Sequence, residues 1–354
     1  MNILLIISSL NFGGAEKQVI EDANLLCNGN KVFVLTFNNG PLIKLLNPTI
    51  NVIHIVRTNY LRTSVKVASV IRKNNISVIH AHLYAPMVLS AIAGVITGIP
   101  VIWNFHSHAY ENSFKGKMLH KYAAKLPSVK KILFPANELK EYYASEGYGF
   151  SRQKCKFAYN SGQIMESSLM KNSDAQTGIT HIGFIGRVIP LKRIDILIEL
   201  AIFLQSKGYR NFVIDIVGDG SDLSNLVQNT NDKQLKSLIT FHGFQQDTLS
   251  YYRQFDIFAF PSGEEVLSLS LIDAGLAGLP SVAFNIGGNH EVVIDSVSGY
   301  LVETPNEFFN RIKELMDDTI LRNKLGANAY KYCLSRFSPQ ARLSYLKNLY
   351  AEVI

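Results

Sequence analysis

Short apolar runs alternate with longer stretches of helical periodicity almost from the first residue. Residues 2–8 read as a strand, and residues 16–27 as a helix that places Val19, Ile20, Ala23, Leu26 and Cys27 on one face. Further strands are predicted at 31–37, 51–56, 77–80, 99–103, 131–134 and 156–159, with helical intervals between most of them. This βαβ rhythm implies a parallel sheet covered on both faces. Between Ser161 and Thr180 it lapses into polar sequence containing Ser, Asn and Gly, then restarts with a strand at 181–186 and others at 212–217, 239–242, 257–260 and 281–284. Two doubly wound α/β domains are expected, over residues 1–165 and 166–336. Ligands of such sheets lie beyond the carboxyl ends of the strands, so two facing domains are expected to enclose one cleft.

Length and composition agree with this division. The 354 residues exceed what one hydrophobic core serves, and 47% hydrophobic with 18% charged residues is the composition of a folded chain. Cys27, Cys155 and Cys333 are far apart, odd in number and form no C-x-x-C, which argues against disulfides and zinc and for a reducing compartment. The apolar opening lacks a positive leader and suits a first strand better than a signal peptide. The uncharged run from Leu83 to Trp103 is broken by Pro86 and Pro100, with Gly94 and Gly98 between them, so it reads as helix, turn and strand.

The net charge of +7 points to an acidic partner. No helix-turn-helix or aromatic–basic platform is present, which sets nucleic acid aside. Lys115, Lys117, Lys121, Lys125, Lys130 and Lys131 fall in a stretch without acids. They are read as a basic amphipathic helix plus a strand edge, either docking on an anionic inner-membrane surface or forming a solvated face.

The candidate chemistry sits at strand ends. Gly13-Gly14-Ala15-Glu16 opens a helix where paired glycines allow close backbone approach, or simply make the turn; it is not the G-x-G-x-x-G of a dinucleotide site. Gly186-Arg187 through Lys192-Arg193 puts cations where a diphosphate leaving group needs them, with Arg193 read as solvated. Val217-Gly218-Asp219-Gly220 reads as a structural turn. In the segment 261–275, a strand end leads into a helix expected to begin near Leu267, with acids at Glu265 and Asp273 eight residues apart. The blander reading makes Glu265 a helix-dipole acid and Asp273 a solvated residue.

That segment resembles the E-x7-E motif of the family 4 retaining glycosyltransferases, which have the GT-B fold of two Rossmann-like domains across a cleft. The glycine pair, His80-Ala81-His82-Leu83-Tyr84, the Gly186 to Lys192 loop, the 217–220 turn, Gly287-Gly288-Asn289-His290-Glu291 and 298–302 are similar to family segments in family order. Residues 337–354 resemble the terminal helix that crosses back to the first domain. The resemblance implies that Gly186, Arg187 and Lys192 hold the donor diphosphate, that Glu265 contacts the donor sugar, and that Asp273 binds the ribose. It further implies that Val266, Leu267, Ser268 and Leu269 complete the donor site, that Gly14 approaches phosphate and acceptor, and that His106 lies close to the transferred sugar. His106, Glu265, Arg187 and Lys192 form the implied catalytic set, with His80, His82 and His108 as rivals to His106. Asp273 stands where the motif has glutamate, and Val266 where it has glycine.

The implied activity is transfer of a hexose or N-acetylhexosamine from a nucleotide-diphosphate sugar to a glycan acceptor. UDP is preferred to GDP, and the acceptor is a lipid-linked glycan in bacterial surface polysaccharide synthesis, with retention, on the cytoplasmic side of the membrane. No cofactor or metal is expected, since the chain has no D-x-D and no acid cluster with ligand spacing. The competing expectations are a nucleotide-sugar epimerase or phosphorylase of the same fold and a non-catalytic nucleotide-sugar-binding protein.

Overall fold

The computed structural model describes residues 1–108, 114–164 and 178–354. The chain divides into two compact units, one of Met1–Ser161 with Pro339–Ile354 and one of Gly162–Ser338. The boundary expected between residues 165 and 166 lies outside the described residues.

In the first unit, β1 (Asn2–Ile7), β2 (Lys31–Thr36), β3 (Asn51–His54), β4 (Val78–His82), β5 (Val101–Asn104), β6 (Val129–Phe134) and β7 (Cys155–Phe157) form one parallel sheet in the order β3-β2-β1-β4-β5-β6-β7. Its helices are α1 (Gly14–Leu26), α2 (Tyr60–Lys73), α3 (Tyr84–Thr97), α4 (Phe114–Ala123) and α5 (Asn137–Ser145). The second unit repeats the plan with β8 (Thr180–Ile185), β9 (Phe212–Val217), β10 (Ile239–Gly243), β11 (Ile257–Phe260), β12 (Ser281–Phe284) and β13 (Gly299–Val302), ordered β10-β9-β8-β11-β12-β13. Its helices are α6 (Asp195–Ser206), α7 (Leu223–Asp232), α8 (Leu249–Tyr252), α9 (Leu269–Leu276), α10 (Asn289–Val292), α11 (Pro305–Asp317) and α12 (Thr319–Phe337). In each sheet the order reverses beside the first strand, between β1 and β4 and between β8 and β11. Such a switch point opens a crevice at the carboxyl ends of the strands.

The central strands are buried on both faces, and β1 from Ile3 to Ile7 is wholly buried. Three departures from the sequence reading matter for the site. Strand β4 runs on to His82, and β5 includes Asn104, so His80, His82 and Asn104 stand on adjacent strands, with His82 opposite Asn104. β13 was not predicted as a strand, because its four residues begin with glycine and leave too short a run for a period-two signal. The final helix begins after residue 337: Ser338, extended before Pro339, separates α12 from α13 (Pro339–Val353).

Helix α13 belongs to the first unit, where Leu346, Leu349 and Tyr350 join Val19, Ile20, Ala23 and Leu26 of α1 and the β1 side chains in one apolar cluster. A charge sits inside it. Arg342 donates from Nε to Oδ1 of Asp22 at 3.0 Å and from Nη2 to Oδ2 at 2.8 Å, with both side chains at most 1% exposed. Gln18 donates to Asp22 at 2.9 Å, and the Arg342 Nη1 group donates to the Tyr159 carbonyl at 3.0 Å. Burial pushes the Asp22 carboxyl up, but the Arg342 guanidinium, with His80 and Gln18, overrides it and holds the group below its usual value.

A lone charge left in this cluster would be uncompensated. Arg342→Met is expected to lower unfolding free energy by about 3–5 kcal/mol in urea titrations, with Asp22→Leu/Arg342→Met recovering most of it. A single variant within about 1 kcal/mol of wild type would contradict this account of the pair. Because the folded Asp22 pKa is depressed, the pair's stabilisation is present above the usual carboxylate pKa and is lost as the pH falls through the lowered value.

Candidate functional site

In the second unit the switch point between β8 and β11 is built by two loops. The loop after β8 is clamped by backbone: Gly186 N–H bonds to the Val217 carbonyl at 3.0 Å, Val188 N–H to the Asp219 carbonyl at 2.9 Å, and Asp222 N–H to the Val188 carbonyl at 3.0 Å. Gly218 has φ +143°, and a Cβ there would come within 1.8 Å of the Gly186 carbonyl oxygen. The 217–220 turn is therefore the brace that sets the position of Arg187. Arg187 is exposed, and no described residue accepts from it.

Lys192 follows in a short 3-10 turn, and its ammonium forms an ion pair with the Glu265 carboxylate from the loop after β11. Both side chains are largely buried, at 15% and 11% exposed, and the Lys192 ammonium lies 5.6 Å from the centroid of the Phe260 ring. Two residues 73 positions apart are thus joined across the switch point. Arg193, expected to be solvated, is instead half-buried, with its guanidinium 4.8 Å from the Phe284 ring centroid. A left-handed backbone at Arg193, φ 49°, turns the chain so that this side chain packs inward beside Gly263.

Helix α9 begins at Leu269, two residues later than expected, because Ser268 serves as its N-cap and its hydroxyl accepts from Leu271 N–H at 3.3 Å. The amides of Leu269 and Ser270, in the first turn, have no carbonyl partner within the helix. Leu267 is buried, and the Val266 carbonyl accepts from Gly288 N–H at 2.9 Å, joining the Gly287-Gly288 turn to this loop. Asp273 is not simply solvated: its Oδ1 accepts from Gln163 N–H at 2.8 Å, and a Cβ on Gly162 would come within 2.6 Å of the same atom.

In the first unit, Gly14 opens α1 after the extended Gly13, and the Glu16 carboxylate lies where a Cβ of Gly13 would be, 2.3 Å from it. Burial pushes the Glu16 carboxyl up, its own backbone N–H opposing. An anion approaching Gly14 would meet that carboxylate, a neighbour the sequence reading did not foresee.

His106 follows β5 and lines a small pocket with Leu83, Tyr84, Phe105, Ser107 and Tyr143. Leu83 holds φ 69° and ψ 164°, a conformation suited to glycine, at the wall of this pocket. His82 Nδ1 lies 2.9 Å from His106 Nε2, and His80 Nδ1 lies 2.8 Å from the Tyr350 hydroxyl. Burial, helped by the Arg342 guanidinium, pushes His106 down to about 3. Burial likewise pushes His80 to about 3 and His82 well below its usual value. His80 and His82 are wholly buried in the core, and His108 packs edge-on to Tyr142, which leaves His106 as the histidine at the pocket. Asp22, His80 and His82 place ligand atoms within 4.8 Å of one another, but Arg342 occupies both Asp22 oxygens and brings a positive charge where a cation would sit.

The lysine-rich stretch is less uniform than expected. Helix α4 ends at Ala123, so Lys125 lies beyond it. Lys117 pairs with Glu146 at 3.2 Å and Lys131 with Glu352 at 2.5 Å, while Lys115 and Lys125 are exposed and Lys121 is half-buried.

Two family profiles match the chain, Glycosyltransferase Family 4 over residues 12–161 and Glycosyl transferases group 1 over residues 167–332. The chain belongs to glycosyltransferase family 4. It is accordingly a glycosyltransferase, and its two parallel-sheet domains are of the GT-B class. Among curated family relatives, a UDP-Gal:alpha-D-GlcNAc-diphosphoundecaprenol alpha-1,3-galactosyltransferase of Escherichia coli is 25% identical over 94% of this chain and 89% of its own length. A capsular polysaccharide biosynthesis glycosyltransferase, CapM of Staphylococcus aureus, is 28% identical over 48% of this chain and 45% of its own. Among solved structures, Anabaena HepE in complex with UDP has a TM-score of 0.84 at 22% identity, covering 99% of this chain and all of its own. Among the described residues, no helix is long and apolar enough to cross a membrane.

Sequence reasoning missed Asp22, Arg342 and Asn104. The signal available for the first was Gln18 and Asp22 four apart on an otherwise apolar helix face, and for Arg342 a cation in register with Leu346 and Leu349. For the clamp, Gly218→Ala is expected to destabilise the fold by about 1–3 kcal/mol, because a Cβ there meets the Gly186 carbonyl oxygen. Thermal melting measures this, and a melting temperature like that of wild type would show that the turn does not set the loop.

Proposed function

We propose that this glycosyltransferase moves a hexose or N-acetylhexosamine from a UDP-sugar to a lipid-linked glycan in bacterial surface polysaccharide assembly, such as O-antigen, capsule or exopolysaccharide. Transfer retains anomeric configuration and needs no metal ion. The observation that carries this reading is the Lys192–Glu265 pair at the switch point of the second unit, with Arg187 exposed on the same loop as Lys192. Arg187 and Lys192 hold the diphosphate, Glu265 contacts the sugar, and Asp273 reaches the ribose with the carboxylate that also holds Gln163. The choice of UDP and of a lipid-linked acceptor is supported by the relatives, one named for UDP-Gal and a diphosphoundecaprenol-linked sugar and one bound to UDP.

In the reaction the bond from the anomeric carbon to the leaving phosphate oxygen breaks, and a bond to the acceptor hydroxyl oxygen forms on the same face. The acceptor's proton passes to the departing phosphate. Lys192 and Arg187 neutralise the charge that develops on that phosphate, and the amides at the start of α9 add to it, which is the work a divalent cation does elsewhere. His106 contacts the sugar from the first unit's pocket. The enzyme works at the cytoplasmic face of the plasma membrane, with Lys115 and Lys125, flanked by exposed Phe114 and Tyr122, meeting anionic lipid.

A thermal-shift panel of UDP, GDP, ADP and dTDP in EDTA, on wild type and Arg187→Ala, tests the donor site. UDP alone should raise the melting temperature, and the variant should lose the effect; stabilisation only with added metal would refute the metal-free reading. Lys192→Ala and Glu265→Gln should lower kcat by about 10²–10³-fold while the proteins stay folded. Turnover like wild type in either would remove that residue from the site. Vesicles with anionic lipid should retain the protein and neutral vesicles should not, each exposed lysine adding about 1 kcal/mol; equal retention would end the docking proposal.

A further inference from the structure

The orientation of one buried amide decides which hydrogen His106 carries. Asn104 is wholly buried, and its Nδ2 lies 3.0 Å from the Phe105 carbonyl and 3.2 Å from His106 Nε2, while its Oδ1 lies 3.4 Å from Nη2 of Arg342. A carbonyl and a guanidinium admit one arrangement only. The amide NH2 must face the Phe105 carbonyl, since an oxygen there would meet another oxygen. The amide oxygen must face Arg342, since a guanidinium has donors and no acceptor. His106 Nε2 therefore faces an N–H donor from Asn104 and must present its lone pair.

A neutral imidazole has one bare and one protonated nitrogen. With Nε2 bare, the hydrogen of His106 is on Nδ1, and the neighbouring His82 must carry its own hydrogen on Nδ1, which points at the same Nε2 lone pair from 2.9 Å. The remaining charged and titratable neighbours are His80 beside His82, Asp22 on α1, Arg342 on α13, and Tyr84 and Tyr143 at the pocket. Arg342, being positive, opposes a second proton on His106. His106 Nδ1 is buried and has no hydrogen-bond partner among the described residues.

We propose that Arg342, acting through Asn104, is a positioning device that locks His106 as a neutral Nδ1–H tautomer, so that His106 meets its ligand as a hydrogen-bond donor to an oxygen and not as a base. This rests on the reading that His106 contacts the donor sugar, whose hydroxyl or ring oxygens are the acceptors such a donor fits. Asn104 never touches the sugar in this scheme; it acts only through the imidazole.

The test is long-range proton–nitrogen NMR of the full-length enzyme labelled with ¹⁵N-histidine, with the His106 signals assigned by comparison with His106→Gln. Wild type should show His106 Nε2 bare and Nδ1 protonated, unchanged across the neutral pH range. Asn104→Asp, which turns the donor into an acceptor, should move the hydrogen to Nε2 and lower kcat by about tenfold or more with little change in KM, as a lost hydrogen bond of about 1.5 kcal/mol does. Because asparagine places its amide near the Nδ1 position and glutamine near Nε2, His106→Asn should retain more activity than His106→Gln or His106→Ala. A protonated Nε2 in wild type overturns the proposal regardless of any activity result, and needs no variant to fold. Asn104→Asp with the hydrogen still on Nδ1 overturns the role of Asn104. Normal turnover in His106→Ala, with Nδ1 protonated in wild type, refutes the sugar contact and leaves the tautomer assignment standing.

Discussion

The bidentate pair between Asp22 and Arg342 is the interaction from which the first unit's organisation follows. Two charges removed from water are stable only when each meets the other in good geometry and the remaining polar atoms are satisfied. Here the guanidinium spends its donors on both Asp22 oxygens, the Tyr159 carbonyl and Asn104, and Gln18 completes Asp22. The pair brings the last helix back to the first unit and fixes which turn of α13 lies against α1. With that register set, Tyr350 falls against His80 and the apolar side chains of α13 close the β1 cluster.

The same charge governs the histidines. Three imidazoles lie in sequence along β4 and the end of β5, and a buried guanidinium beside them, added to desolvation, keeps them neutral at physiological pH. His106, at the wall of the small pocket, is then held neutral by its surroundings rather than left to titrate near neutral pH. Electrostatic preorganisation of this kind requires groups that cannot reorient, and burial on adjacent strands supplies that.

In the second unit the controlling constraint is steric. Gly218 and Gly220 let the turn after β9 press against the loop after β8, where a Cβ on Gly220 would lie 2.2 Å from the Val188 carbonyl oxygen. That contact sets the path of the chain from Gly186 to Lys192 and so the meeting of Lys192 with Glu265. A motif read as structural and a motif read as functional are in this sense one device.

The alternation of apolar runs with helical periods determined the two doubly wound sheets, because a strand buried on both faces and an amphipathic helix each leave a local, periodic signature. The placement of the glycine turns, of the cations after β8 and of the acids before and within α9 was legible for a related reason: residues that follow a strand keep their order along the chain. Other features were not local. Ser268 took the cap that moved the start of α9, Arg193 turned inward onto Phe284, and Asp273 was engaged by Gln163 from 110 positions away. Asp22 and Arg342 are separated by 320 positions, and nothing in either neighbourhood names the other. Long-range pairing of charges and the orientation of a buried amide depend on which surfaces exclude water, and only the tertiary structure decides that.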